Sequence, residues 1–199
     1  SYFNLKNYTE ALPYLLKYKG EKGRWNNNDY YQLGYAYYMQ KDYVSAISWF
    51  NKIVSGRDAV AQNASYHLAD CYLKTNNKMA ALNAFRKASQ MDFNVQIKED
   101  AFYNYAILSY DIGNPYNNVA QVLIDFLKAY PNNKEYKAVN KLLISAFMRS
   151  KDYKGALSYF KKIDDLESKT VYQKAAYFYG VQLFLDHNYK ESITTFSKA

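Results

Sequence analysis

Apolar side chains recur at helical spacing along most of the chain. The clearest stretch is residues 30–53, where two apolar sets follow one another at intervals of three and four. The first set is Tyr30, Leu33, Gly34 and Tyr37, and the second is Tyr43, Ala46, Phe50 and Ile53. The polar segment 40–42 between the two sets is too short for anything but a tight turn. This stretch therefore predicts an antiparallel helix pair.

A small residue recurs at the centre of each predicted pair. Glycine inside a helix costs about 1 kcal/mol relative to alanine, so Gly34 needs a packing reason. We expect that reason to be a close helix crossing at Ala46, twelve residues further on. The small residue of the second helix recurs at intervals of 35 to 38 residues, at Ala11, Ala46, Ala81, Val119, Ala156 and Ser192. The chain therefore consists of shifted copies of one helix pair.

These copies resemble the tetratricopeptide repeat (TPR). Its pattern is an aromatic residue, Leu-Gly, Tyr, Ala and Phe over about 34 residues. In this chain the places are filled by Tyr30, Leu33, Gly34, Tyr37, Ala46 and Phe50. The resemblance implies an all-α fold, a right-handed α-solenoid of antiparallel helix pairs with about five and a half repeats. We expect a single domain over 1–199, truncated at both ends, with units near 1–26, 27–61, 62–98, 99–136, 137–172 and 173–199.

Composition agrees with a helical repeat protein. The 199 residues are 49% hydrophobic and include only 7 Gly and 3 Pro, so residues that favour turns are few. The sequence contains no run of about 18 apolar residues, so no membrane span is predicted. The single cysteine, Cys71, excludes an internal disulfide framework. The bias toward Tyr, Asn and Lys resembles TPR members of the bacterial cell envelope, which implies a periplasmic or envelope location.

Candidate chemistry is confined to one short helical segment. His67, Asp70 and Cys71 fall at i, i+3 and i+4, a spacing that can hold a metal ion or activate a thiol. No second ligand cluster accompanies them, which favours a helix-packed cysteine beside a histidine at the core boundary. The chain also has no phosphate-binding loop, zinc-protease motif or nucleophile elbow. We therefore predict that it is not an enzyme and uses no metal or cofactor.

The resemblance implies that the first helix of each pair lines a concave groove. Transferring the ligand-facing places of the family by register gives Tyr31, Tyr35, Tyr38, Tyr66, Asp70, Tyr103, Tyr110, Lys141, Arg149 and Tyr177. Rigid rings with polar tips suit an extended peptide, because little side-chain entropy is lost on binding. The alternative is that these tyrosines pack between adjacent first helices. The family's carboxylate clamp, which uses Lys and Asn, is not expected, because Tyr and Asp occupy its places.

The net charge of +8 comes from 26 Lys and Arg against 18 Asp and Glu. Many lysines fall on second helices, where a solvated outer face explains them. The leading hypothesis is a non-enzymatic scaffold that binds a protein or peptide partner rather than nucleic acid. The alternative is a binder of an anionic or sugar polymer, either cell-wall glycan or nucleic acid, through tyrosine stacking and lysine contacts. Uncapped terminal repeats would allow end-to-end self-association.

Overall fold

Helices account for most of the chain. The computed structural model describes residues 3–53 and 55–199, and these residues form eleven helices and no strand. The helices are α1 (Tyr8–Lys17), α2 (Asn27–Met39), α3 (Tyr43–Phe50), α4 (Ala59–Lys74), α5 (Lys78–Ser89), α6 (Val95–Ile112), α7 (Val119–Ala129), α8 (Tyr136–Ser150), α9 (Tyr153–Phe160), α10 (Leu166–Leu185) and α11 (Tyr189–Phe196). The predicted all-α fold of stacked helix pairs is confirmed.

The chain divides into two compact units. Unit 1 covers Ser1–Pro115 and contains α1 to α6, and unit 2 covers Tyr116–Ala199 and contains α7 to α11. Within each unit every helix packs against the next one along the chain. In unit 1 the alternate helices α2, α4 and α6 also contact one another in series. The single domain and the six repeat boundaries stay predictions.

One turn geometry joins the two helices of four pairs. A residue with positive φ is followed by the N-cap of the second helix, at Lys41-Asp42, Asn76-Asn77, Lys151-Asp152 and His187-Asn188. The amide of each N-cap residue also donates to a carbonyl five residues earlier, as in Asp42 N–H to Tyr37 O at 3.0 Å. This 6→1 bond closes the end of the first helix while the cap starts the second. The left-handed residue therefore lets the chain reverse within two residues.

The side chain nearest to Gly34 is Phe50. The sequence spacing predicts Ala46 at this place, and that prediction is wrong for the nearest contact. A Cβ on Gly34 would lie 2.7 Å from ring atoms of Phe50. The same arrangement recurs in the last pair, where a Cβ on Gly180 would lie 2.8 Å from Phe196. In this pair the small residue of the second helix, Ser192, also lies at the helix crossing. Its hydroxyl donates a hydrogen bond to Gly180 O at 2.8 Å. Glycine thus makes room for a phenylalanine ring one turn beyond the small residue.

A buried glutamine fastens the loop between α5 and α6. The Gln62 side chain on α4 is fully buried, and its amide nitrogen donates to the carbonyls of Ala88, Met91 and Asn94. Its amide oxygen accepts from the Asn94 N–H at 2.7 Å. Buried polar groups persist when their partners are all supplied, as they are here. The loop therefore starts α6 at a fixed place beside α4.

Candidate functional site

The helices α2, α4 and α6 of unit 1 form what we call the first-helix face. They are the first members of three successive pairs and lie side by side through the α2–α4 and α4–α6 contacts. Seven of the predicted groove residues lie on these three helices: Tyr31, Tyr35, Tyr38, Tyr66, Asp70, Tyr103 and Tyr110. Regular helices on rigid neighbours hold these side chains in register.

Tyr31 and Tyr35 pack between helices of unit 1. Their rings stack on each other at 5.8 Å, and Tyr35 also meets Tyr8, which belongs to α1, at 5.4 Å. Both rings approach His67 of α4, Tyr35 most closely at 5.1 Å. Burial raises the pKa of both phenols, with the neighbouring tyrosine Tyr8 adding to the effect. These two rings therefore fix the spacing of α1, α2 and α4, and ligand contact by them stays a prediction.

His67 lies at the centre of this aromatic cluster. Five rings surround the imidazole with centroids between 5.1 and 6.1 Å away, from Tyr31, Tyr35, Tyr38, Phe50 and Tyr66. Its Nδ1 is buried without a hydrogen-bond partner. Burial lowers the pKa of His67 to about 4, and the nearby Asp70 carboxylate opposes that effect. The imidazole is therefore neutral at pH 7 and acts as a packing element of the cluster.

Tyr38, Tyr66 and Asp70 form the polar part of the first-helix face. The Tyr38 hydroxyl donates to Asp70 Oδ2 at 2.8 Å and so ties α2 to α4. Tyr66 lies on α4 one turn before Asp70, and its ring meets His67 and Phe85 edge-on. Burial raises the pKa of Tyr66, followed by the charges of Asp100 and Asp70. The two carboxylates thus come from adjacent helices and act on the same phenol.

The remaining predicted groove residues are spread over three helices. Tyr103 and Tyr110 are half-buried on α6 in unit 1. In unit 2, Lys141 and Arg149 are exposed on α8, and Tyr177 on α10 is 55% exposed. The Tyr177 ring packs against Phe178 and Phe196 at 5.5 and 6.0 Å. We therefore treat the unit 1 residues as one candidate site and leave the unit 2 residues as separate predictions.

The segment that contains His67, Asp70 and Cys71 packs at the edge of the core. Cys71 is fully buried, and burial, followed by the charge of Asp70, raises the pKa of its thiol to about 12. A thiol with that pKa stays protonated at pH 7 and is a poor nucleophile. The described residues contain no group of three or more His, Cys, Asp or Glu placed to hold a metal ion. Activation of Cys71 by its neighbours is therefore not supported.

Comparison with known proteins bears on unit 1. The sequence model of the family described as Anaphase-promoting complex, cyclosome, subunit 3 matches residues 4–88, which run from before α1 to the last turn of α5. That family consists of TPR-like repeats, and the matched residues form the helix pairs described above. The fold of the chain is that of a TPR-like helical solenoid. TPR-type repeats are typically non-enzymatic scaffolds for protein partners.

The match is limited to the repeat type. It covers less than half of the chain, and the complex named in the description is that of the matched family. Comparison with curated proteins gave no match. The predicted cell-envelope location stays a prediction. Among the described residues, no TPR helix combines the length and the apolar character that crossing a bilayer requires.

A cavity of about 680 Å³ lies among the TPR helices of unit 2. It is bordered by α7, α8 and α9. Its lining combines the apolar side chains Ile124 and Phe147 with Lys128, Lys162 and Asp152. Charges of both signs give the cavity no preference for one class of ligand. Sequence periodicity did not indicate it, because no spacing rule fixes the separation of the helices that border it.

An apolar face of the last TPR pair is open to solvent. Phe196 is 36% exposed, whereas its counterparts Phe50, Phe85 and Phe160 in other pairs are 0 to 2% exposed. On the same two helices, Phe184, Leu185 and Ile193 are 56 to 71% exposed. In the pair α8/α9 the following helix α10 packs against α9. The α10/α11 face therefore has the character of a surface on which another helix packs.

Proposed function

We propose that unit 1 is a non-enzymatic scaffold that binds a peptide segment of a protein partner along its first-helix face. The observation that carries the proposal is the row of tyrosines on α2, α4 and α6, held in register by rigid helix pairs. Tyrosine supplies contact area at low entropic cost and a hydroxyl for hydrogen bonds. TPR-type repeats typically act in this way.

Within this face the residues nearest the α4–α6 boundary form the centre of the proposed site. Tyr66 and Tyr103 occupy the same repeat position on α4 and α6, and both are half-buried. Tyr38 and Asp70 border them on the α2 side through their hydrogen bond. Tyr31, Tyr35 and Tyr66 all pack against His67, which holds the α2 and α4 parts of the site together.

The test is selection of ligands followed by mutation of the face. Random dodecapeptides displayed on phage are selected against the intact chain, and the affinities of the selected peptides are measured by fluorescence polarisation. Replacing both Tyr66 and Tyr103 by Ala should weaken binding at least about tenfold, because aromatic residues carry most of the energy of such surfaces. Circular dichroism checks that the variant keeps its helices.

The matched control is Tyr189→Ala on α11 of unit 2. Tyr189 is 50% exposed and lies on a second helix of unit 2, which is not part of the first-helix face. This variant should bind the selected peptides as the unmodified chain does. Equal binding by the Tyr66/Tyr103 double variant and the unmodified chain would remove the first-helix face from consideration.

The alternative of an anionic polymer is less well supported at this face. Polyanion binding depends on lysine and arginine, whose counterion release makes affinity fall with salt. Burial raises the pKa of Tyr66, and the charged groups that raise it further are the carboxylates of Asp70 and Asp100. A sugar polymer could still bind this face, because sugar rings can stack on tyrosine. Competition of the selected peptides by cell-wall glycan fragments would favour it.

A further inference from the structure

The first-helix face is acidic in a chain that is basic as a whole. The helices α2, α4 and α6 carry the five carboxylates Asp29, Asp70, Glu99, Asp100 and Asp111 against the two lysines Lys74 and Lys98. Lys98 forms an ion pair with Asp92 in the preceding loop, and Asp111 forms one with Lys78 of α5. The whole chain has a net charge of +8. The three helices therefore carry more negative than positive charge within a basic chain.

Two of the carboxylates lie on adjacent helices beside tyrosines: Asp70 is one turn after Tyr66 on α4, and Asp100 is one turn before Tyr103 on α6, which contacts α4. Asp70 on α4 and Asp100 on α6 both act on the Tyr66 phenol, since the charge of each raises its pKa. The Asp70 carboxylate is held by the Tyr38 hydroxyl at 2.8 Å, and Asp100 is exposed. Negative charge from two helices thus borders an aromatic ring on an accessible surface.

This combination suits a cationic side chain. An ammonium or guanidinium group is attracted to the face of an aromatic ring and to carboxylates at its edge. The chain shows both contacts within itself. Lys52 Nζ lies 5.6 Å from the ring centre of Tyr30 and 5.3 Å from that of Trp49, and Lys78 on α5 pairs with Asp111 on α6.

We propose that the partner of the first-helix face is a basic peptide, and that one of its lysine or arginine side chains binds at Tyr66 between Asp70 and Asp100. This inference rests on the proposed function and adds the charge of the ligand. Tyr38 positions the Asp70 carboxylate for that contact. Complementary charge gives selectivity and faster association more than raw affinity. A segment rich in Glu or Asp is therefore excluded by repulsion.

Three defined probes test the charge of the ligand. Fluorescein-labelled 12-residue peptides, in which proline alternates with lysine, glutamate or glutamine, are titrated into the intact chain at low salt. Alternating proline keeps all three probes extended. The lysine peptide should bind at least about tenfold more tightly than the glutamate peptide, with the glutamine peptide between them. Equal affinities for the lysine and glutamate peptides would overturn the proposal, as would the absence of binding by the lysine peptide.

Paired variants locate the charge on the chain. Asp70→Asn together with Asp100→Asn should weaken binding of the lysine peptide about tenfold, while the amide oxygen introduced in place of the Asp70 carboxylate can still accept from the Tyr38 hydroxyl. The control is Asp125→Asn together with Asp164→Asn, which changes net charge equally at exposed positions of unit 2. This control should leave binding unchanged. If both double variants weaken binding of the lysine peptide to the same degree, net charge alone explains binding and the site assignment is wrong.

The outcome separates this inference from the proposed function. Peptides selected on phage that depend on Tyr66 and Tyr103 but carry no excess of Lys and Arg would contradict the inference and leave the function standing. Selected peptides that ignore those tyrosines would contradict the function itself. Selected peptides that are rich in Lys and Arg and weakened by Asp70→Asn would support both.

Discussion

At the scale of single residues, His67 shows how a core position can mimic a catalytic one. Its spacing from Asp70 and Cys71 suits chemistry, yet its ring is enclosed by five aromatic rings and its Nδ1 has no partner. Spacing along a helix is visible in sequence, whereas enclosure depends on rings from α2 and α3 that only the fold brings together. The histidine therefore contributes to packing in its neutral form.

Burial of a neutral histidine makes the stability of unit 1 depend on pH. The pKa of His67 is about 4 when folded and 6.5 as the ordinary value, so the unfolded chain takes up a proton first as pH falls. Stability from this residue is present above pH 6.5 and is lost between 6.5 and about 4. Between pH 7 and 5 the loss is about 2 kcal/mol, measured as the free energy of unfolding in urea.

Two histidine variants separate the contribution of His67 to the pH dependence of stability from the contribution of the carboxylates. His67→Gln removes the titrating group, so its stability should fall less between pH 7 and 5 than that of the unmodified chain. His187→Gln changes the exposed histidine of the α10/α11 turn and should keep the full dependence. The same pH dependence in all three proteins would show that His67 is not buried as described.

Gly34 and Gly180 occupy equivalent places with different surroundings. A Cβ on either would lie within 2.8 Å of a phenylalanine ring, but Phe50 is fully buried and Phe196 is 36% exposed. Gly34→Ala should therefore destabilise by about 1–3 kcal/mol through overpacking. Gly180→Ala should cost less, because the partly exposed Phe196 can shift. The preference of alanine for the helix, about 1 kcal/mol, offsets part of the loss at both positions. Thermal denaturation measures both, and an equal loss would contradict this difference.

At the scale of elements, the helix pairs follow from periodicity, but the turn chemistry does not. Apolar spacing locates the helices because each must bury one stripe against its neighbours. The left-handed residues at Lys41 and Lys151 carry no such signal, since lysine rarely adopts that conformation. Asn76 and His187 are of residue types that are enriched there. Tertiary packing of the pairs enforces the turn where the sequence alone would not.

The enforced turn offers a stabilising substitution. Lys151 ends α8 with φ of 55°, which glycine adopts without steric cost. Lys151→Gly should therefore raise stability by about 0.5–1 kcal/mol, measured by thermal denaturation. The control is Lys141→Gly within the same helix, which should lower stability by about 1 kcal/mol. A loss at both positions would mean that the turn does not need a left-handed residue.

The open face of α10 and α11 leads to a prediction about association. We expect copies of the chain to associate through Phe184 and Ile193, which are 56% and 71% exposed. Replacing both by lysine should reduce the sedimentation coefficient at high protein concentration to that of the monomer. Val44→Lys changes an equally exposed residue of α3, 70% exposed, and should leave association intact. A monomer at every concentration tested would contradict the prediction.

At the scale of the whole molecule, the fold was more predictable than the site. The places of Gly34, Ala46 and Phe50 recur at intervals of 35 to 38 residues because every pair solves the same packing problem, and that repetition predicts a TPR-like fold. The site depends on which tyrosines are enclosed. Tyr31, Tyr35 and Tyr66 all lie against His67, and the charges of Asp70 and Asp100 act on Tyr66 as well. Their places in the repeat are similar, so periodicity could not separate them.

The most direct test of the central claim is hydrogen–deuterium exchange of the intact chain with and without a phage-selected peptide at saturating concentration. Binding along the first-helix face should slow amide exchange in α2, α4 and α6, because a bound segment suppresses local opening of the helices it contacts. The second helices α3 and α5 should change much less. Protection confined to α3, α5 or unit 2, with the peptide demonstrably bound, would contradict the account.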